Sequence, residues 1–338
     1  MNLQANRQRQ FRLALFTSLL AFSVVLMGAY VRLSDAGLGC PDWPGCYGQL
    51  VVPHSETAVE VPDNGFAKPL HREKAWKEMI HRYLAGTLGL FILLLTLLAW
   101  HNRRDPQQPL WLPSLLLGLV IFQAALGMWT VTLLVKPAIV TAHLLGGFAT
   151  FVLLVLLSLQ LRSEPLFPRL VITPALRRLI LFGLGVVIIQ ITLGGWTSTN
   201  YAALGCSEFP RCYAGEWWPA MDFEQGFTLW RGLGINYEFG VLENDARAAI
   251  HMTHRIGALT TLLVIGWLSL RLLLQTAQAP LRRLALLVML LLVTQISLGI
   301  SNVLGHLPLP VAVAHNGVAA LLLATLVTLA WLGVRHEQ

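Results

Sequence analysis

Four of the ten histidines, His81, His143, His254 and His315, recur at matching places in two stretches of the chain. Met79-Ile80-His81-Arg82 lies over Met252-Thr253-His254-Arg255 at an offset of 173, and Gln123, Gly127 and Ala142-His143 lie over Gln295, Gly299 and Ala314-His315 at 172. Imidazole is the commonest protein ligand for metals, and ionisable residues inside apolar segments are costly and mark function. A zinc or copper site would gather three or four ligands at close spacing. Here each stretch offers two histidines on alternate apolar segments, a set suited to the two axial positions of a haem iron lying edge-on between facing helices.

The two stretches differ three residues before the first histidine of each pair, where Glu78 stands in one and His251 in the other. An i, i+3 relation puts Glu78 on the helical face of His81, and a carboxylate beside a metal can move protons during an oxidation. The chemistry is therefore assigned to the N-terminal half and electron transfer to the C-terminal half, although Glu78 also suits a helix first turn, where acids favour the dipole. Gly86, Gly89, Gly146, Gly147, Gly257 and Gly317 would admit a flat ring, or simply close helix packing. Arg82 and Arg255 suit haem propionates or snorkelling to the surface; Gln123, Gln190 and Gln295 suit interhelical hydrogen bonds.

Cys40-Pro-Asp-Trp-Pro-Gly-Cys46 matches Cys206-Ser-Glu-Phe-Pro-Arg-Cys212 at an offset of 166, following Gly-Leu-Gly in one copy and Ala-Leu-Gly in the other. Each pair, Cys40–Cys46 and Cys206–Cys212, is spaced to close a small loop, as a staple or as a reducible bond.

The elements that must position these residues are membrane spans. The 338 residues are 55% hydrophobic and 12% charged, with a mean hydropathy of +0.62, which excludes a soluble enzyme, a disordered chain and a disulfide scaffold. Apolar windows predict eight helices near residues 11–32, 77–100, 111–133, 138–161, 177–198, 250–274, 282–303 and 310–334. Each of the four histidines then falls within about the first six residues of its span. Arginines cluster in the tail and in alternate short loops, which places both termini in the cytoplasm and the long loops and histidines toward the outer face. The net charge of +7 thus concerns orientation in a lipid bilayer, with no nucleic-acid partner. The fold expected is all-α integral membrane, two pseudo-twofold-related four-helix bundles forming a parallel internal repeat. Residues 1–161 form the N-terminal half, 162–176 a cytoplasmic linker and 177–338 the C-terminal half.

Gly28-Ala29-Tyr30-Val31-Arg32-Leu33-Ser34, Glu78-Met79-Ile80-His81-Arg82, Thr141-Ala142-His143 and His251-Met252-Thr253-His254-Arg255 resemble the haem A synthase family over essentially the whole chain. That resemblance implies an oxidoreductase that converts the C8 methyl group of haem O to the formyl group of haem A by successive hydroxylations; the short tail, without the Arg- and Ser-rich character of a transit peptide, places it in a bacterial inner membrane. The resemblance implies resident haem b between His254 and His315, substrate haem O between His81 and His143, Glu78 as the catalytic carboxylate, and Cys40–Cys46 as a redox-active pair. Partners implied are an electron donor of unidentified kind and a haem O synthase as source of substrate; the sequence allows a homo-oligomer. The competing readings are a di-haem b protein that oxidises quinol without altering haem, and a haem transporter.

Overall fold

The computed structural model describes residues 3–54, 69–162 and 172–334. Among these residues the regular elements are helices: α1 (Leu3–Leu33), α2 (Arg72–His101), α3 (Trp111–Thr132), α4 (Pro137–Leu161), α5 (Pro174–Thr199), the short α6 (Phe223–Gly226), α7 (Asn244–Gln275), α8 (Ala279–Leu304) and α9 (Leu309–Val334). Eight of them, all but α6, are long and apolar enough to cross a membrane, so the chain is a multi-pass membrane protein. A proline in the first turn starts α4, α5 and α8, where its missing N–H costs nothing, and the Thr173 side chain accepts from Leu176 N–H to cap α5.

Three helices begin well before the apolar windows predict, α1 at Leu3, α2 at Arg72 and α7 at Asn244. Their first turns are polar, which a hydropathy window discounts, yet helical geometry holds there through pairs such as Lys77 Nζ to Glu73 Oε1 at 2.6 Å. The expected position along the helix is therefore revised for two of the four histidines. His81 and His254 fall about three turns into α2 and α7, whereas His143 and His315 fall about two turns into α4 and α9, close to expectation.

In the first half, α1 packs on α2 and α4, and α3 packs on the same two. In the second half, α5 packs on α7 and α9, and α8 packs on those two. Between the halves, α1 meets α9, α4 meets α5, and α4 meets α9. The main apolar core includes Ile92 and Leu95 on α2, Leu154 and Leu157 on α4, Ile180 on α5, Leu268 on α7 and Leu326 on α9, and it fills the helix ends away from the histidines. Smaller clusters around each disulfide lie at the opposite ends. The polar groups of interest are thus gathered at one end of an apolar bundle.

At that end the loop between α6 and α7 is fastened to the first half. Lys136 is buried, with Nζ donating to the carbonyls of Arg231 at 2.5 Å and Gly232 at 3.1 Å and lying 3.7 Å above the Trp230 ring. Tyr237 N–H donates to the Leu134 carbonyl. The expected linker 162–176 lies mostly outside the described residues.

Candidate functional site

Both cysteine pairs form disulfides, with Cα separations of 4.8 Å for Cys40–Cys46 and 4.2 Å for Cys206–Cys212. Each loop lies hard against the helix that carries the first histidine of its pair. A Cβ at Gly39 would fall 2.6 Å from the Lys74 carbonyl carbon, and one at Gly205 would fall 2.5 Å from that of Arg247. The glycine before the first cysteine of each copy is there because nothing larger fits.

Glu78 and His251 hold these loops in the same way. The Cys40 N–H donates to Glu78 Oε2 at 2.8 Å, and the Cys206 N–H donates to His251 Nδ1 at 3.1 Å. Both side chains are buried, each 5% exposed, so Glu78 is no solvated first-turn acid. Its second oxygen receives Arg82 Nη2 at 2.6 Å. The sequence difference between the halves is a carboxylate for an imidazole at one shared anchoring position, and only the carboxylate brings an ion pair.

Arg82 and Arg255, suited by sequence to haem propionates or to snorkelling, clasp the disulfide loops. Arg82 Nη1 donates to the carbonyls of Asp42 at 2.9 Å and of Gly45. Arg255 donates to the carbonyls of Arg211 at 2.8 Å, Cys206 at 2.9 Å and Glu208 at 2.7 Å. Loop carbonyls with no helical partner attract the guanidinium more strongly than open surface does.

Each of the four histidines is seated on a glycine of the preceding long helix. A Cβ built at Gly28 would lie 3.0 Å from His81 Cε1, at Gly127 3.5 Å from His143, at Gly194 3.2 Å from His254 and at Gly299 3.1 Å from His315. These glycines obey the repeat offsets, which is the signal that finds them, and they are not the ones expected from sequence. Of those expected, Gly86 faces open space, and Gly146 and Gly257 leave room for the amides of Gln123 and Gln190.

The histidines pair within halves: His81 and His143 are close enough to interact electrostatically, as are His254 and His315. Buried atoms without hydrogen-bond partners concentrate here, namely Nδ1 of His81, His143 and His315, Nε2 of Gln123, and Oε1 of Gln190 and Gln295. Unpaired buried polar atoms are rare in folded proteins and point to a ligand. Among the described residues no group of three or more His, Cys, Asp or Glu side chains gathers to hold an ion. Paired imidazoles seated on glycine, with apolar helices around them, are a donor set that would hold a haem in each half.

The geometry defines a multi-pass helical membrane protein with two histidine pairs at one end, each beneath a disulfide loop. Residues 11–327 match the COX15-CtaA family, described as cytochrome oxidase assembly protein, and the chain belongs to that family. Among curated relatives it is 48% identical to the Heme A synthase of Shewanella oneidensis, over 90% of this chain and 91% of that one. It is 29% identical to the Heme A synthase of Caulobacter vibrioides over 97% of each chain, and 26% identical to that of Halalkalibacterium halodurans over 92% of each.

Proposed function

We propose that this protein is a haem A synthase, an oxidoreductase that oxidises the C8 methyl group of haem O to a formyl group. The observation that carries the reading is the duplicated pair of glycine-seated histidines with buried, unpartnered ring nitrogens, in a chain nearly half identical to a named Heme A synthase. Residues 1–161 and 177–338 act as two related halves joined by 162–176.

His81 and His143 hold the substrate haem in the first half, and His254 and His315 hold haem b in the second. Haem b, when bound, supplies one-electron transfer between the substrate site and an external partner. Glu78, fixed by the Cys40 N–H and Arg82 three residues from His81, takes up a proton at a carboxylate oxygen as the methyl group is oxidised. Its counterpart His251 anchors the other loop without an acid, which assigns oxidation to the first half. Glycine seats hold the imidazoles against the helices, and the surrounding apolar side chains exclude water from the reacting carbon. The disulfide Cys40–Cys46, directly over Glu78, is placed to exchange electrons with a partner on that side. The arginine-rich tail and loops face the cytoplasm of a bacterial cell, so both sites lie toward the outer face of the inner membrane. A haem O synthase supplies the substrate.

The test is to purify the protein from cells that also make haem O, extract the non-covalent haem, and resolve types B, O and A by chromatography with mass detection. Haem A or its hydroxylated precursor beside haem B is the expected result. Haem B alone, with haem O available, would overturn the assignment in favour of electron transfer without haem chemistry.

A further inference from the structure

The two histidine pairs differ in what holds the imidazoles. In the second half the Gln190 amide nitrogen lies 3.1 Å from His254 Nδ1 and donates to the His254 carbonyl at 3.0 Å. The Gln295 amide nitrogen lies 3.2 Å from His315 Nε2. One ring nitrogen of each histidine is thereby engaged and the other left over. In the first half Nδ1 of His81, the counterpart of His254, has no hydrogen-bond partner, whereas His143 interacts with the Gln123 amide much as His315 does with that of Gln295.

The sequence accounts for the difference at one place. Gln190 and Gly257 go together, because a Cβ at Gly257 would fall on the Gln190 amide; their counterparts in the first half are Val24 and Leu84, an apolar pair with no donor.

We infer that Gln190 is a positioning residue that fixes His254 for a porphyrin that stays, whereas His81 lacks that hydrogen bond so that its porphyrin can leave as product. The inference rests on the ligand assignment proposed above. A hydrogen bond to the ring nitrogen that does not ligate sets the orientation and basicity of the one that does, and its loss costs roughly 10–100-fold in affinity at metal sites. An enzyme whose substrate is itself a porphyrin needs that difference: tight, permanent ligation in one half and reversible ligation in the other.

Full-length protein purified with its haem b serves for the test, with excess apomyoglobin as haem acceptor. Gln190→Met, which keeps length and removes the amide, is expected to release haem b about tenfold faster. Gln190→Glu, which keeps a hydrogen-bonding group and adds charge, is expected to restore slow release and to shift the midpoint potential negative, a change that altered packing alone does not produce. Wild-type release by Gln190→Met, or an unshifted potential in Gln190→Glu, overturns the inference. Should Gln190→Met fail to accumulate, the potential of Gln190→Glu decides. His254→Ala separates the two levels of argument: haem b retained in that variant refutes the ligand assignment itself, whereas haem b lost there with release unchanged in Gln190→Met refutes only the positioning role.

Discussion

The Tyr201 hydroxyl donates to Asp35 Oδ1 at 3.0 Å, and these two residues are counterparts, 166 positions apart. Arg32 joins them: its guanidinium lies 4.0 Å over the Tyr201 ring, Nη1 lies 3.7 Å from Asp35 Oδ1, and Nη2 donates to the carbonyl of Ser198, its own counterpart. Counterparts of the repeated sequence thus touch one another here. Asp35 and Tyr201 also share a left-handed backbone, φ 49° and 54°, that turns the chain out of α1 and α5 alike.

This contact sets the first prediction. Tyr201→Phe should lower stability by about 1 kcal/mol, the usual worth of one hydrogen bond, and a cycle with Asp35→Asn should return a coupling of at least roughly 0.5 kcal/mol. Burial raises the Tyr201 phenol above its ordinary value, so the folded state favours the neutral form. Its contribution is complete below about pH 10, the unfolded tyrosine value, and is lost as pH rises through the higher folded value. Thermal melts at about pH 8 and pH 11 should show a smaller alkaline loss in Tyr201→Phe than in wild type; equal losses would remove Tyr201 from the account.

Glu78→Gln separates anchoring from charge. The amide oxygen can still accept the Cys40 N–H, so the loop stays, but no carboxylate remains to take a proton. Conversion of haem O should fall by roughly 10²-fold or more while haem b content is unchanged. Normal conversion would show that Glu78 only holds the disulfide loop.

The glycine seats give a comparison with an internal control. Gly194→Leu should empty the second site of haem b, because the side chain would occupy the place of the His254 ring, 3.2 Å from where even a Cβ would stand. Gly86→Leu, at a position with nothing within 4 Å, should leave haem b content and its absorption spectrum as they are. Haem content measured by pyridine haemochrome on both proteins decides it.

Much of this is legible in the sequence because the duplication repeats the same physical requirements. The eight spans follow from apolar length, and both disulfides follow from a cysteine spacing that occurs twice. Contacts set by direction rather than spacing cannot be read in that way. Arg82 and Arg255 follow their histidines in sequence, yet one position along a helix turns a side chain by about 100°, enough to send them to the loops. Gly28, Gly127, Gly194 and Gly299 stand inside the matched segments, but only helix packing reveals which glycine faces which ring. Lys136, in a short turn, gives no sign of its carbonyl partners at Arg231 and Gly232, since those come from a loop nearly a hundred residues on.

The arginine clasps distinguish the halves energetically. Arg82 pairs with buried Glu78 at 2.6 Å besides holding its loop, whereas Arg255 holds carbonyls and has His251, not an acid, at the equivalent place. Removing Arg82 leaves a buried carboxylate without its countercharge, a loss of about 3–5 kcal/mol for buried pairs. Removing Arg255 forfeits only charge-assisted hydrogen bonds to loop carbonyls, about 1.5–3 kcal/mol. Arg82→Ala should therefore melt well below Arg255→Ala. Adding Glu78→Gln to Arg82→Ala should recover part of the deficit, because the stranded charge is then gone, while His251→Gln added to Arg255→Ala should recover none. Thermal unfolding of the four proteins in one detergent makes the comparison, and equal costs with no recovery would mean that Glu78 is held neutral by its surroundings rather than ionised against Arg82.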